Sequence, residues 1–220
     1  IPLHAVKFVS RTEGWSGGLE GVMIHTTDGG ATWTQQNTGT MSRFAAIDFV
    51  DSNNGWAVGI YGTILHTTDG GQTWLPANFN VTVPFSRVEC ITEEIWWGVG
   101  ADIICRTENS GSEWEIQEWP DDEYPFFTYL LDISAPDAET AWAGGGHVLL
   151  KTYDGGDTWR PETKFVGMNI EAVDFHAPNA GWVAGYNSRV DGEQTGSVAW
   201  TTTGASWQGK DLCNSVLRDI

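Results

Sequence analysis

Residues 26–33 read TTDGGATW, residues 67–74 read TTDGGQTW and residues 152–159 read TYDGGDTW. Three near-identical octapeptides in one chain mark internal repetition, and repetition decides the fold before any local reading does. Two altered copies continue the series, TENSGSEW from Thr107 to Trp114 and WTTTGASW from Trp200 to Trp207. An aromatic-small-glycine element keeps step with the octapeptides: GWSGG at Gly14, GWAVG at Gly55, WWGVG at Trp96, AWAGG at Ala141 and GWVAG at Gly181. Ahead of its tryptophan, by nine residues in four copies and eleven in the fourth, lies an alternating apolar run marked by Val6, Ile47, Val88, Leu131 and Val173. The period is therefore 41 to 43 residues.

Each period reads as four short strands. The alternating run has the period-two pattern and β-branched content of a pleated surface. The Gly-Trp element supplies a second strand, a segment such as TILHT (Thr63 to Thr67) a third, and the residues after the octapeptide a fourth. Four strands every forty-odd residues, with glycine and aromatic landmarks in phase, predict an all-β chain: a β-propeller of four-stranded antiparallel blades. A blade cannot bury both faces alone, so its landmarks must recur in every neighbour. The five repeats run over about 1–41, 42–82, 83–125, 126–167 and 168–214. Residues 215–220 begin a further one, Ile220 aligning with the phase markers, so the expectation is a segment of a six- to eight-bladed propeller, seven blades first, with a terminal strand that closes a five-bladed ring as the alternative.

The octapeptide has a physical reading as a stapled turn between the third and fourth strands. Asp28 can accept hydrogen bonds from amides of its own turn, while Gly29 and Gly30 permit positive φ. Thr32 suits the departing strand, and Trp33 can cover the hairpin with apolar surface. The same roles fall to Thr67, Asp69, Gly71, Thr73 and Trp74, and to Thr152, Asp154, Gly156, Thr158 and Trp159, with Thr26 and Gly30 completing the first set. The pattern Ser/Thr-x-Asp-x-Gly-x-Thr-Trp resembles the Asp-box, or bacterial neuraminidase repeat, of sialidases, some glycoside hydrolases and sortilin-type receptors. With IDFVDSNNGWAVG (Ile47 to Gly59) upstream, the chain resembles the propellers of photosystem II stability and assembly factors and their non-photosynthetic bacterial relatives. That resemblance implies peripheral, structural boxes and a non-catalytic, extracytoplasmic, protein-binding propeller.

Composition bounds the partners. A formal charge of −18 opposes nucleic acid and anionic membrane and favours a cationic partner. No apolar run is long enough to span a bilayer. Of thirteen tryptophans, five close the boxes and five more sit in the Gly-Trp elements, leaving Trp96, Trp119 and Trp200. Cys90 and Cys105 fall on the first and third strands of one repeat, which a blade does not usually place side by side, and Cys213 is an odd remainder. No Cys/His spacing suits a metal, so neither metal nor cofactor is expected.

Function must lie where the chain departs from its repeat. One departure is EIQEWPDDEYPFFTY (Glu115 to Tyr129), which gathers Trp119, Asp121, Asp122, Glu123, Tyr124, Phe126 and Phe127. The other is YNSRVDGEQTG (Tyr186 to Gly196), a loop between second and third strands carrying Tyr186, Arg189 and Asp191. In a propeller, connections from strand four to the next strand one and from strand two to strand three emerge on one face, and box hairpins on the other. Both departures should therefore share a rim where aromatics and carboxylates bind a basic protein or peptide, or stack on a sugar. Asp121, Asp122 and Glu123 lack the glycine-bearing loop of a calcium site.

Catalytic residues are not expected. The seven arginines share no register that would converge three of them on an axis, although Arg43 and Arg87 stand ahead of first strands. His25 and His66 occupy matching third-strand positions and read as structural. A glycosidase working through two carboxylates, or a carbohydrate-binding propeller, is the alternative, since carboxylate separation is invisible in sequence. The sequon Asn80-Val81-Thr82 joins the resemblance in favouring an extracytoplasmic place.

Overall fold

The computed structural model describes residues 1–119, 129–162, 168–188 and 194–213. Its strands form five four-stranded antiparallel sheets, each in simple up-and-down order. Blade 1 holds β1 to β4 (Leu3–Phe8, Gly14–Gly18, Met23–Thr26, Thr34–Gln36) and blade 2 holds β5 to β8 (Phe44–Phe49, Gly55–Gly59, Ile64–Thr67, Leu75–Pro76). Blade 3 holds β9 to β12 (Phe85–Cys90, Trp96–Gly100, Ile103–Thr107, Glu115–Ile116) and blade 4 holds β13 to β16 (Asp132–Ser134, Ala141–Gly145, Val148–Thr152, Arg160–Pro161). Blade 5 holds β17 to β20 (Met168–Ala177, Ala180–Ser188, Gln194–Thr201, Trp207–Cys213). Two compact units divide these blades, residues 1–100 with 105–115, and residues 101–104 with 116–220.

Register pairs show which sequence landmarks are equivalent. Val6, Ile47, Val88 and Val173 face Ser16, Ala57, Gly98 and Val183, one residue beyond the tryptophan of their Gly-Trp element. In blade 4 that position belongs to Ile133, opposite Ala143, rather than to Leu131. Ile133 restores the nine-residue spacing to Trp142, and the eleven-residue spacing belongs to Leu131, two residues earlier on the same face of the alternating run. Blade 5 departs differently: β18 continues through Ser188 and β19 starts at Gln194, so Tyr186 pairs within the sheet between Asn169 and Gly196 instead of lying in a loop.

Blades pack through the Gly-Trp tryptophan. Trp15, wholly buried, stacks on Phe49 of the next blade at 3.8 Å between centroids and 10° between planes, and its indole donates to the Gly70 carbonyl at 3.1 Å. Trp74 meets the edge of Phe49 at 5.9 Å and 90°, closing an aromatic group of three rings. In the second unit Trp142 stacks on Phe175 at 4.3 Å and 4°, with Trp207 edge-on to both. Offset-stacked and edge-to-face rings satisfy the aromatic quadrupole, which adds about 1 kcal/mol per pair to the burial itself. The small residues of the Gly-Trp strands are required here: a Cβ on Gly59 would stand 2.0 Å from the Arg43 carbonyl oxygen.

First strands are tied to one another by side chains. Asp48 accepts the backbone N–H of Cys90 at 2.7 Å through Oδ2, while Oδ1 pairs with the Lys7 ammonium at 2.5 Å. In the other unit Asp132 accepts the N–H of Val173 and Ser134 that of Phe175, both at 2.9 Å. Such links satisfy edge amides that a first strand exposes to its neighbour.

Candidate functional site

The boxes are built as the sequence predicts and reveal why eight letters recur. Thr26 Oγ1 donates to Asp28 Oδ1 at 2.8 Å and accepts the Gly30 N–H at 2.9 Å. Asp28 Oδ1 also accepts the Thr32 N–H at 2.8 Å, while Oδ2 accepts the Thr32 hydroxyl at 2.6 Å. Asp69 with Thr67, Gly71 and Thr73, and Asp154 with Thr152, Gly156 and Thr158, repeat the scheme to within 0.1 Å. Gly29 and Gly30 have φ of 74° and 89°, the left-handed conformation that other residues resist. Hydrogen bonds from the Thr32 hydroxyl and amide lower the Asp28 carboxyl to about 2, and those from Thr158 do the same to Asp154. An acid held so far down, with its oxygens already engaged, is an acceptor for the turn and a poor proton donor.

The altered boxes keep the scheme with other atoms. Asn109 takes the aspartate's place in blade 3, accepting from Thr107 Oγ1 at 3.0 Å and from the Glu113 N–H at 2.8 Å. In blade 5 the alignment shifts: Thr201 faces Gly181 as Thr26 faces Gly14, so the box begins at Thr201, one residue after Trp200, and is one residue shorter. Thr203 then occupies the aspartate's place, its hydroxyl 3.1 Å from Ser206 Oγ.

Hydrogen bonds separate the two ends of each blade. Box hairpins lie beside the loop between first and second strands, with Gly29 N–H donating to Thr12 O, Gly70 to Asn53 O, Ser110 to Glu94 O and Gly155 to Glu139 O. The turn between second and third strands lies instead beside the interblade connection: Thr38 Oγ1 donates to Gly21 O at 2.8 Å, and Ile60 N–H to Arg43 O. A Cβ on Gly62 would meet the Val81 carbonyl at 1.8 Å, so this packing also requires glycine. In blades 1 and 2 the boxes therefore occupy the end of the blade remote from the turn between second and third strands and from the connection between these two blades.

On the connection side of the first unit, Tyr61 projects into solvent from a left-handed backbone, φ 57°, and is 79% exposed. It stands in the β6–β7 turn at the position that Glu20 holds in the β2–β3 turn of blade 1. Beside that turn a groove of about 380 Å³ runs between Thr38–Thr40 and Gly62–Leu65, floored by Trp74. In the second unit Trp119 is half-buried and Tyr129 exposed, and Tyr186 lies half-buried on β18. Asp121, Asp122, Glu123, Tyr124, Phe126, Phe127, Arg189 and Asp191 lie outside the described residues.

One recurrent feature escaped the sequence reading. The residue just before each box threonine covers the Gly-Trp ring of its own blade: His25 on Trp15 at 4.5 Å, His66 on Trp56 at 4.2 Å, Arg106 over Trp97 at 5.0 Å, Lys151 over Trp142 at 5.1 Å and Trp200 on Trp182 at 5.2 Å. Cations and aromatics share this position because both favour the electron-rich ring face. The signal was present as His, His, Arg, Lys and Trp in one register, and only His25 and His66 had been matched. Arg87 stands within β9 rather than ahead of it. Cys90 and Cys105 are both free, with β10 between their strands, and burial pushes both thiols up, Asp48 adding to the shift at Cys90. Among the described residues, no three His, Cys, Asp or Glu side chains gather in a metal-binding cluster, and no helix is long and apolar enough to cross a membrane.

Residues 33–125 match the family model described as the photosynthesis system II assembly factor YCF48. Comparison with curated proteins gives no match. Among solved structures, YCF48 bound to a D1 peptide is similar at a TM-score of 0.65 and 19% identity, over 94% of this chain and 80% of that one. YCF48 from Cyanidioschyzon merolae is similar at 0.66 and 19%, over 97% and 86%. A GH74 xyloglucanase from Xanthomonas campestris reaches a TM-score of 0.73 at 14% identity, covering 94% of this chain but 37% of the enzyme. The repeated boxes, the four-stranded blades and these matches together make the chain an Asp-box β-propeller similar to the photosystem II stability and assembly factors.

Proposed function

We propose that this propeller is a non-catalytic, extracytoplasmic scaffold that holds a protein or peptide partner on its connection side, with the acidic aromatic segment from Trp119 to Phe127 as the main contact and Tyr186, Arg189 and Asp191 beside it. The observation that carries the reading is the likeness over 94% of the chain to an assembly factor whose structure holds a peptide. The charge of −18 selects a partner rich in Lys or Arg, steered over the Debye length and weakened by salt. Non-catalytic action is supported by the two buried first-strand aspartates, Asp48 and Asp132, each engaged by a neighbouring backbone amide. The extracytoplasmic place rests on the family resemblance and on the exposed Asn80 of the sequon.

Hydrogen exchange with a panel of basic and acidic peptides tests the reading. Protection of residues 117–129 by basic peptides, lost in Trp119→Ala with Tyr124→Ala, is the expected result; binding that survives the double substitution removes the rim assignment. A carbohydrate reading draws support from the GH74 likeness. Protection of the same segment by xyloglucan oligosaccharides and not by peptides would replace the first reading with this one.

A further inference from the structure

The seams on the two sides of blade 2, both within the first unit, are built differently. Between blades 1 and 2, Gln36 ties the parts together: its amide donates to the Gly70 carbonyl at 2.8 Å, and its oxygen accepts the Trp74 indole N–H at 3.2 Å. The Gly70 carbonyl also accepts the Trp15 indole N–H at 3.1 Å, so both buried tryptophans have partners. Between blades 2 and 3 the corresponding side chains differ. Gln36 faces Met23, and its equivalent, bonded to the Ile64 carbonyl, is Ala77, which has no amide. Phe49 opposite Gly55 becomes Cys90 opposite Trp96. A Cβ on Gly55 would stand 2.2 Å from the Phe49 ring, so a bulky residue fits on one strand of this pair and not on both.

The consequence falls on two indoles. Trp56 does not stack on a phenylalanine as Trp15 does; it meets Trp96 at 5.0 Å and 56°, and its ring lies 2.1 Å from where Gly111 would carry a Cβ. The Gln36 amide holds that place over the equivalent Gly71. Trp56 Nε1 and Trp114 Nε1 are left buried without an acceptor, on rings 5.3 Å apart and 82° to each other. Trp96 fills the volume, but its N–H donates to the Glu93 carbonyl of its own blade. An N–H buried without an acceptor loses its hydration and gains nothing in return. We infer that the seam between blades 2 and 3 is a conformational device, the place where this unit opens locally ahead of global unfolding. Opening returns water to the two indoles, which distinguishes this seam from its neighbour. It also releases two thiols. Cys90 takes the place of Phe49, and Cys105, two residues before its box threonine as Leu65 is, lies with Sγ 3.0 Å from where Gly98 would carry a Cβ. Gly98 pairs with Val88, the equivalent of the Ile47 that packs with Trp15, so both thiols lie on the face of blade 3 turned to blade 2.

Thiol labelling of the 220-residue chain with N-ethylmaleimide, in urea below the unfolding transition, tests this, with mass spectrometry reading Cys90 and Cys105 separately. The two should label together, with a weaker urea dependence than global unfolding, because opening one seam exposes less surface. Ala77→Gln, which restores the Gln36 arrangement, should slow both at least about tenfold. Leu65→Cys sets the same probe in the seam between blades 1 and 2 and should label only as the whole chain unfolds. Indole N–H exchange followed by NMR needs no variant: Trp56 and Trp114 should exchange faster than Trp15 and Trp74. Labelling of Cys90 and Cys105 that tracks global unfolding, rates unmoved in a folded Ala77→Gln chain, Leu65→Cys labelling as readily as Cys105, or Trp56 exchanging no faster than Trp15 would each overturn the proposal.

Discussion

Blades 2 and 3 stand side by side in sequence and solve the same turn with different atoms. Blade 2 spells TTDGGQTW, and Asp69 engages Thr73 through both its oxygens, at 2.8 and 2.6 Å. Blade 3 spells TENSGSEW, and Asn109 keeps the first link at 2.8 Å but reaches the Glu113 carboxylate through its amide at 3.4 Å. Above the box, His66 stacks on Trp56, while Arg106 lies over Trp97 and pairs with Glu108 at 2.6 Å. What persists is an acceptor oxygen two residues after the threonine and a flat or cationic group on the tryptophan. Negative charge in the box shortens its bonds but is not what makes the turn.

The largest test removes what the two blades share. Trp56→Ala and Trp97→Ala each delete a fully buried ring and should each destabilise by about 3–5 kcal/mol in urea unfolding. A marked inequality would show that one blade leans less on its tryptophan. Next, Asp69→Ala removes three hydrogen bonds from the turn and should cost about 1–2 kcal/mol, with Asn109→Ala costing less because its second link is already long. Equal losses in the same melts would mean that the short hydroxyl bond contributes nothing. Transplanting blade 3's solution, Asp69→Asn with Thr73→Glu, should then cost under about 1 kcal/mol; a loss as large as that of the alanine variant would break the equivalence.

The smallest effect is in pH. Burial lowers the His66 pKa below its ordinary 6.5, so the unfolded chain binds that proton more readily than the folded one. Its contribution is fully present above 6.5 and is lost as pH falls through that value toward the lower folded one. Arg106 cannot titrate there, so blade 3 has no matching dependence. Melts at pH 7.5 and 5.5 should show a slope that His66→Gln reduces; an unchanged slope would place the titration elsewhere. Further down, the lowered carboxyls of Asp28 and Asp154 contribute stability above their ordinary 3.8 that is lost as pH falls toward about 2.

Local chemistry was legible wherever the cause lay within a few residues. The Asp28 turn could be read from its own eight letters because threonine, aspartate and glycine act on backbone inside the octapeptide. Leu131 and Ile133 lie two residues apart and so share one phase of the alternation, and only pairing with Ala143 selects Ile133. The fifth box was misaligned for a related reason, since a deletion of one residue is visible only once Thr201 faces Gly181. Tyr186 was read as loop because Gly, Asn and Ser punctuate its segment, yet long-range pairing carries β18 through it. Tyr61 escaped notice because exposure at a turn is not a property of its letters.

The sequence by itself determined the period, the four strands of each blade and the turn that staples them, because each depends on side chains acting on nearby backbone or alternating across one strand. Tertiary structure decided which face each tryptophan presents, that Asp48 reaches Lys7 on one side and Cys90 on the other, and that Val6 and Trp182 remain exposed where their equivalents are buried. Those facts belong to the packing of one blade on another, and five repeats with nearly the same letters can differ in them because burial depends on the neighbour and not on the residue.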